Sequence, residues 1–165
     1  MIYFVSGHLD LTEEEFETHY KNKLIESMND ESHYFVVGDA RGCDLMAQQI
    51  LIKIPDRVTV FHMFESPRNN LGFKSIGGFG SDEERDEAMT LKSDSDIAWV
   101  KPGRERSGTA RNLLRRFFLT ELKNTIISDI IREANEELKE ANLSFLIKRE
   151  GIIIKNITET LFKYM

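Results

Sequence analysis

With a single cysteine, Cys43, in 165 residues, this chain cannot form an internal disulfide, and a reducing, cytoplasmic setting is the simplest expectation. It also lacks any uninterrupted apolar run near the roughly 18 residues that a membrane-spanning helix needs, so no membrane partner is expected. The opening stretch MIYFVSGHLD has neither a basic leader region nor a small-residue cleavage site, and reads as a strand rather than a secretory signal. Positive charge is in the minority. Lys and Arg number 22 against 28 Asp and Glu, a net charge of −6, which argues against a nucleic-acid partner. Metal-ligand patterns are missing too: His8, His19, His33 and His62 show no ligand spacing and Cys43 has no CxxC partner, so neither a metal nor a cofactor is expected. No G-x-S-x-G nucleophile elbow is present.

What is there is an alternation of short apolar runs with helical patterns. IYFVSG (2–7), HYFVVG (33–38), RVTVFHM (57–63) and DIAWVK (96–101) read as strands. Between them, LTEEEFETHYKNKLIESM reads as a helix with Thr12 as N-cap and Glu15 completing a capping box. ARGCDLMAQQILIKI reads as a second helix, and SDEERDEAMTLKS as a short third with Ser81 as N-cap. Residues 64–81 hold four glycines and no period, the signature of a long functional loop or lid. Strands apolar on both faces alternating with helices predict an α/β fold, a Rossmann-like parallel sheet with helices on both faces. Residues 1–120 form the expected nucleotide-binding domain. A long helix from about Gly108 to Ala141 and a short tail follow, so that residues 121–165 form an extension. Its apolar stripe, with Leu114, Phe118, Leu122 and Ile126 on it, is broader than one sheet contact needs. The tail reads as two strands turning at Glu150-Gly151 and a short helix. A homodimer through this region is expected, the alternative being a monomer whose tail folds back on the long helix.

Charge is unevenly spread. Residues 1–50 carry 3 Lys and Arg against 10 Asp and Glu, whereas residues 101–116 carry six cations and one acid, Glu105. Helix starts favour acids because the dipole is positive there. Cations gathered at such an end make sense when an anion sits between them. In open parallel sheets, ligands lie outside the carboxyl ends of the strands, so the glycine turns at Gly7, Gly38 and Gly103 with Gly108 should converge on one edge.

Four stretches occur in order along the chain: SGHLDLT, GDARGCD, RDEAM and PGRERSGTARN. Together they resemble the SLOG superfamily, a Rossmann-like group that includes the DNA-processing protein A fold and the lysine-decarboxylase-like phosphoribohydrolases. The pattern is most similar to YspA/YpsA-like members, with their G-S-R-D, G-G-A-R-G-A-D, R-N-x-x-M and P-G-G-x-G-T segments. The resemblance covers about residues 1–120. It implies a nucleotide or nucleotide-derived ligand faced by Ser6 and Gly7 from the first strand and by Gly38, Ala40, Arg41, Gly42 and Asp44 from the second. Arg85 would join from the third helix, and Gly103, Arg104, Ser107, Gly108, Thr109 and Asn112 from the last helix start, where the phosphate would rest.

Two departures shape the functional expectation. The phosphoribohydrolases carry a Glu after the Gly-Thr pair that takes part in breaking an N-glycosidic bond; here that position is Asn112, and an amide is neither a general base nor a good nucleophile. The first turn has His8 where those proteins have Arg. Asp86 and His8 are therefore the candidate catalytic groups if the chain is an enzyme, an N-glycosidic hydrolase or transferase acting on a nucleoside monophosphate. The leading expectation is ligand binding without catalysis.

Overall fold

The structure is a computed structural model describing residues 1–140. It contains a five-stranded, wholly parallel sheet in the order β4-β3-β2-β1-β5. The strands are β1 (Ile2–Ser6), β2 (Tyr34–Gly38), β3 (Val58–Phe61), β4 (Lys74–Ile76) and β5 (Ser95–Ala98). The helices are α1 (Glu13–Phe16), continued through a π-helical turn at Glu17–Lys21 into α2 (Asn22–Met28), then α3 (Cys43–Leu51), α4 (Asp82–Lys92) and α5 (Gly108–Glu140). The α/β, Rossmann-like expectation holds. The chain divides into two compact units, Met1–Phe117 and Phe118–Met165. The first contains the whole sheet and the opening turns of α5.

Strand alternation sorts the core into two layers. Val5, Val37, Val60 and Ile97 face one side, with Tyr20, Leu24, Cys43, Ala47 and Leu51 packed over them. Phe4, Val36 and Phe61 face the other, under Met89 of α4. Burying each such side chain stabilises by about 1.5–3 kcal/mol. Because both faces are covered, the strands read as continuous apolar runs.

The first helical stretch differs from the uninterrupted α-helix the sequence predicts. Its capping box is present, with Thr12 Oγ1 accepting from Glu15 N–H and Glu15 from Thr12 N–H. Phe16, Tyr20 and Leu24 are all buried, yet spaced four apart they drift about 40° per step around a straight α-helix. The π turn widens the helix where they occur and returns them to one face, with the Phe16 and Tyr20 rings stacked at 5.3 Å.

The fourth expected strand ends earlier than residue 101. At Trp99 the chain leaves the sheet, its N–H donating to Tyr20 Oη at 2.9 Å. The expected loop of residues 64–81 contains β4, a short edge strand paired to β3. Nor is its first half loose. Asp39 accepts from Arg68 N–H, Nε and Nη2, and Asn69 Nδ2 donates to the Asp39 carbonyl. Gln48 donates to the Asn69 carbonyl and accepts from Leu71 N–H. The expected lid is strapped to the end of β2. The long helix is continuous over its described length, with Leu114, Leu122 and Ile131 exposed along it. The expected tail strands, the turn at Glu150-Gly151 and the dimer contact assigned to them lie outside the described residues.

Candidate functional site

A cavity of about 530 Å³ opens at the carboxyl ends of the strands, within the first unit. The sheet topology places it there. β1 and β5 are adjacent, and the turns that leave them, together with the starts of α4 and α5, make its wall. Of the residues singled out from the sequence, Ser6, Gly7, His8, Ala40, Asp44, Arg85, Asp86, Arg104, Ser107, Gly108, Thr109 and Asn112 line this one space. Gly38, Arg41, Gly42 and Gly103 do not line it. Arg41 is exposed on the outside of its turn.

The glycines of the second turn have packing roles. A Cβ on Gly38 would land on the Asp44 carboxylate and press against the Arg85 guanidinium. Gly42 has φ +73°, and a Cβ there would come within 2.5–2.7 Å of the His8 and Leu9 carbonyls. Gly42 also stands as N-cap of α3. These glycines bring the three turns together.

The start of α5 is open at two amides. Ser107 Oγ accepts from Ala110 N–H at 3.2 Å, and the Ser107 carbonyl accepts from Arg111 N–H. Among the described residues no protein acceptor takes the N–H of Gly108 or Thr109. On the same wall, Ser6 Oγ is buried and, among the described residues, without a hydrogen-bond partner. Arg104 reaches across the rim to Asp10 at 2.7 Å, and Arg111 donates to the Arg106 carbonyl. The first N–H groups of a helix have no partner within it and are met by side chains, water or a ligand; here Gly108, Thr109 and Ser6 line one cavity.

Asp86 stands beside this helix start. Its Oδ1 accepts from Arg85 Nε and Nη2, and its Oδ2 accepts from Asn112 Nδ2 at 3.0 Å. A Cβ built on Gly108 would lie 3.8 Å from Asp86 Oδ2. Asn112, 2% exposed, is itself held by Arg115 at 2.9 Å. The amide where a glutamate was expected thus fixes a carboxylate delivered from α4.

His8 is a clamp in this structure. Its Nε2 accepts from Lys101 N–H at 2.9 Å and its carbonyl accepts from Cys43 N–H. Burial lowers its pKa, helped by the Arg104 and Lys101 charges and opposed by Asp10 and Glu15. A neutral ring accepting at Nε2 carries its hydrogen on Nδ1, so the nitrogen that faces the loop is committed. Behind the wall, Asp39 is fully buried and joins Arg68 to Arg85. Burial pushes its carboxyl up, but hydrogen bonds from Arg68 and the two guanidinium charges outweigh this and hold it below the usual range. Asp44 goes the other way: burial raises its pKa to about 7.

Sequence reasoning missed Asp10, Arg68 and Asp82 as wall residues. Arg68 lies in an aperiodic stretch, and its pairing with Asp39 and Asp82 gives it a place. Phe4 and Met89 supply an apolar part of the wall.

The fold and the cavity define an α/β protein with a Rossmann-like parallel sheet and a pocket at its strand ends. No family model, curated protein or solved structure matches the chain. No helix among the described residues is long and apolar enough to cross a membrane, and the described residues contain no cluster of His, Cys, Asp and Glu suited to a metal ion.

Proposed function

We propose that this chain binds a nucleotide or nucleotide-derived ligand in the cavity, with the ligand's anionic group on the first amides of α5. One observation carries the reading. Among the described residues, the Gly108 and Thr109 N–H groups and the buried Ser6 hydroxyl, which line one cavity, have no protein hydrogen-bond partner. Two amides at the positive end of a 33-residue helix and a hydroxyl form an anion cradle. Phe4 and Met89 offer an apolar surface for a base, and the carboxylates of Asp10, Asp82 and Asp86 offer acceptors for sugar hydroxyls. The resemblance to SLOG proteins in the glycine turns supports the same ligand class.

The test is a thermal-shift panel of nucleoside mono- and diphosphates on the wild-type chain and on Gly108→Pro. Proline is accommodated at the first position of a helix and lacks only the N–H. A ligand at about 100 times its Kd stabilises by about 2.7 kcal/mol. The wild type should show that gain with at least one nucleotide and the variant should lose most of it. Equal shifts in both proteins, or none in the wild type, would count against the cradle.

A second reading, cleavage or transfer at an N-glycosidic bond of a nucleoside monophosphate, is favoured by Asp86. Asn112 and Arg85 fix this carboxylate at the helix start, in place to stabilise an oxocarbenium ion or to direct a water. Chromatography would detect release of free base, lost in Asp86→Asn. No release from any common nucleotide leaves the binding reading alone.

A further inference from the structure

The polar cluster behind the cavity holds more carboxyls than guanidiniums. Asp39, Asp82 and Asp86 each pair with Arg85, and Arg68 pairs with Asp39 and Asp82. Asp44 belongs to the same cluster but makes no ion pair among the described residues. Its side chain fills the space left by the missing Cβ of Gly38, and its Oδ2 accepts from Ala40 N–H at 3.1 Å. No hydrogen bond reaches its Oδ1 among the described residues, and the residue forms part of the cavity wall. Four carboxyls against two guanidiniums would place two surplus negative charges beside a cradle of open amides. The groups that face Asp44 are Arg85 and Asp86 of α4, Asp39 at the end of β2, Cys43 on its own helix and Tyr20 of the π turn. Of these only Arg85 favours the ionised form, and its nitrogens are committed to three other carboxylates.

We infer that Asp44 stands in the cavity wall as a neutral carboxylic acid that determines ligand specificity, so that an anion entering the cavity and the proton on Asp44 stabilise one another. The second half of this inference rests on the anion-binding reading above; the first half does not. A neutral Asp44 removes one of the two surplus charges. It also presents an O–H donor at Oδ1 to a carbonyl, ring nitrogen or hydroxyl of the ligand, in a wall that Ser6 lines as well. Burial, which raises the Asp44 pKa to about 7, works in the same direction. An ionised Asp44 could only accept, and it would repel the anion.

Two measurements separate the halves. In the ligand-free protein, a carbon-13 titration of the aspartate carboxyls should show one resonance titrating near neutrality that is missing in Asp44→Asn. If every aspartate ionises below about pH 5, the neutral acid is refuted. Anion uptake is then followed with sulfate, whose charge is constant between about pH 6.5 and 8.5, and burial moves the His8 pKa down, away from that window. Wild-type sulfate affinity should weaken by about threefold or more across that window, whereas Asp44→Asn, which retains an acceptor for Ala40 N–H, should bind with a flat profile. Should that variant fail to fold, calorimetry on the wild type in two buffers of different ionisation enthalpy reads the same coupling as net proton uptake. A flat wild-type profile with no proton uptake overturns the coupling while leaving anion binding standing. Absence of sulfate binding at every pH refutes the anion-binding reading and the coupling together, and leaves the neutral acid to the carboxyl titration.

Discussion

Replacing Asp39 with Asn tests the reasoning about the buried cluster most directly. The Asp39 side chain is 0% exposed and carries three hydrogen bonds from Arg68 and one from Arg85. Breaking one side of a buried ion pair typically costs about 3–5 kcal/mol. Arg68 is 36% exposed on its side chain, so water replaces much of what it loses and its share is small. Arg85 is 7% exposed but keeps Asp82 and Asp86, which places the expected loss at the low end, about 3 kcal/mol. With a urea dependence of about 2 kcal/mol per molar, the unfolding midpoint should fall by about 1.5 M. The loss should also depend on pH with a definite sign. Asp39 is held below the usual carboxylate range, so its contribution is present above the unfolded pKa and disappears as pH falls through the folded one. Urea melts of both proteins at several pH values should therefore converge in acid. A difference under 1 kcal/mol at neutral pH, or one that persists unchanged in acid, would refute the claim that this carboxylate holds the cluster and the strapped loop together.

Asp44→Asn should behave oppositely. A carboxyl raised from 3.8 to about 7 gives the folded state the extra proton between those values, so stability falls as pH rises through them. The variant should match the wild type near pH 4 and exceed it by up to about 4 kcal/mol above neutrality, read from urea midpoints across pH; a gap constant with pH would contradict this. Gly42→Ala places a Cβ against two carbonyls at φ +73° and should cost at least about 2 kcal/mol. Gly103→Ala, at φ +80° but in open space, should cost only about 1. Thermal melts of the two, side by side, separate crowding from backbone strain. Tyr20→Phe removes a buried hydroxyl that donates to the Ser6 carbonyl at 3.0 Å and accepts from Trp99 N–H; a loss of about 1–3 kcal/mol is expected in chemical denaturation.

The sheet was legible because Phe4 and Val5, or Val36 and Val37, are apolar on both faces, and only a strand covered on both sides asks for that. The edge strand at Lys74–Ile76 was not legible, since all three of its residues are exposed and only Ile76 is apolar. Within the site, Asp86 and the α5 start stood out through helix-start chemistry that is local in sequence. Arg68, Asp39 and Asp10 did not, because their meaning comes from partners such as Arg104, 94 residues from Asp10. The glycines were conspicuous for the right conformational reason and the wrong neighbour: Gly38 and Gly42 make way for Asp44 and for the His8–Leu9 backbone. The π turn was hidden because a spacing of four is compatible with an ordinary helix until three such residues must all be buried.

Cys43 is 0% exposed, and a Cβ on Gly7 would fall 2.5 Å from its sulfur. Burial drives its thiol well above the ordinary range. The folded chain therefore offers no thiolate to an alkylating reagent, and labelling waits for the core to part. Since the sequence contains no other cysteine, the rate at which reagent is consumed is a clock for the opening of the core layer that holds Cys43, already built into the native protein.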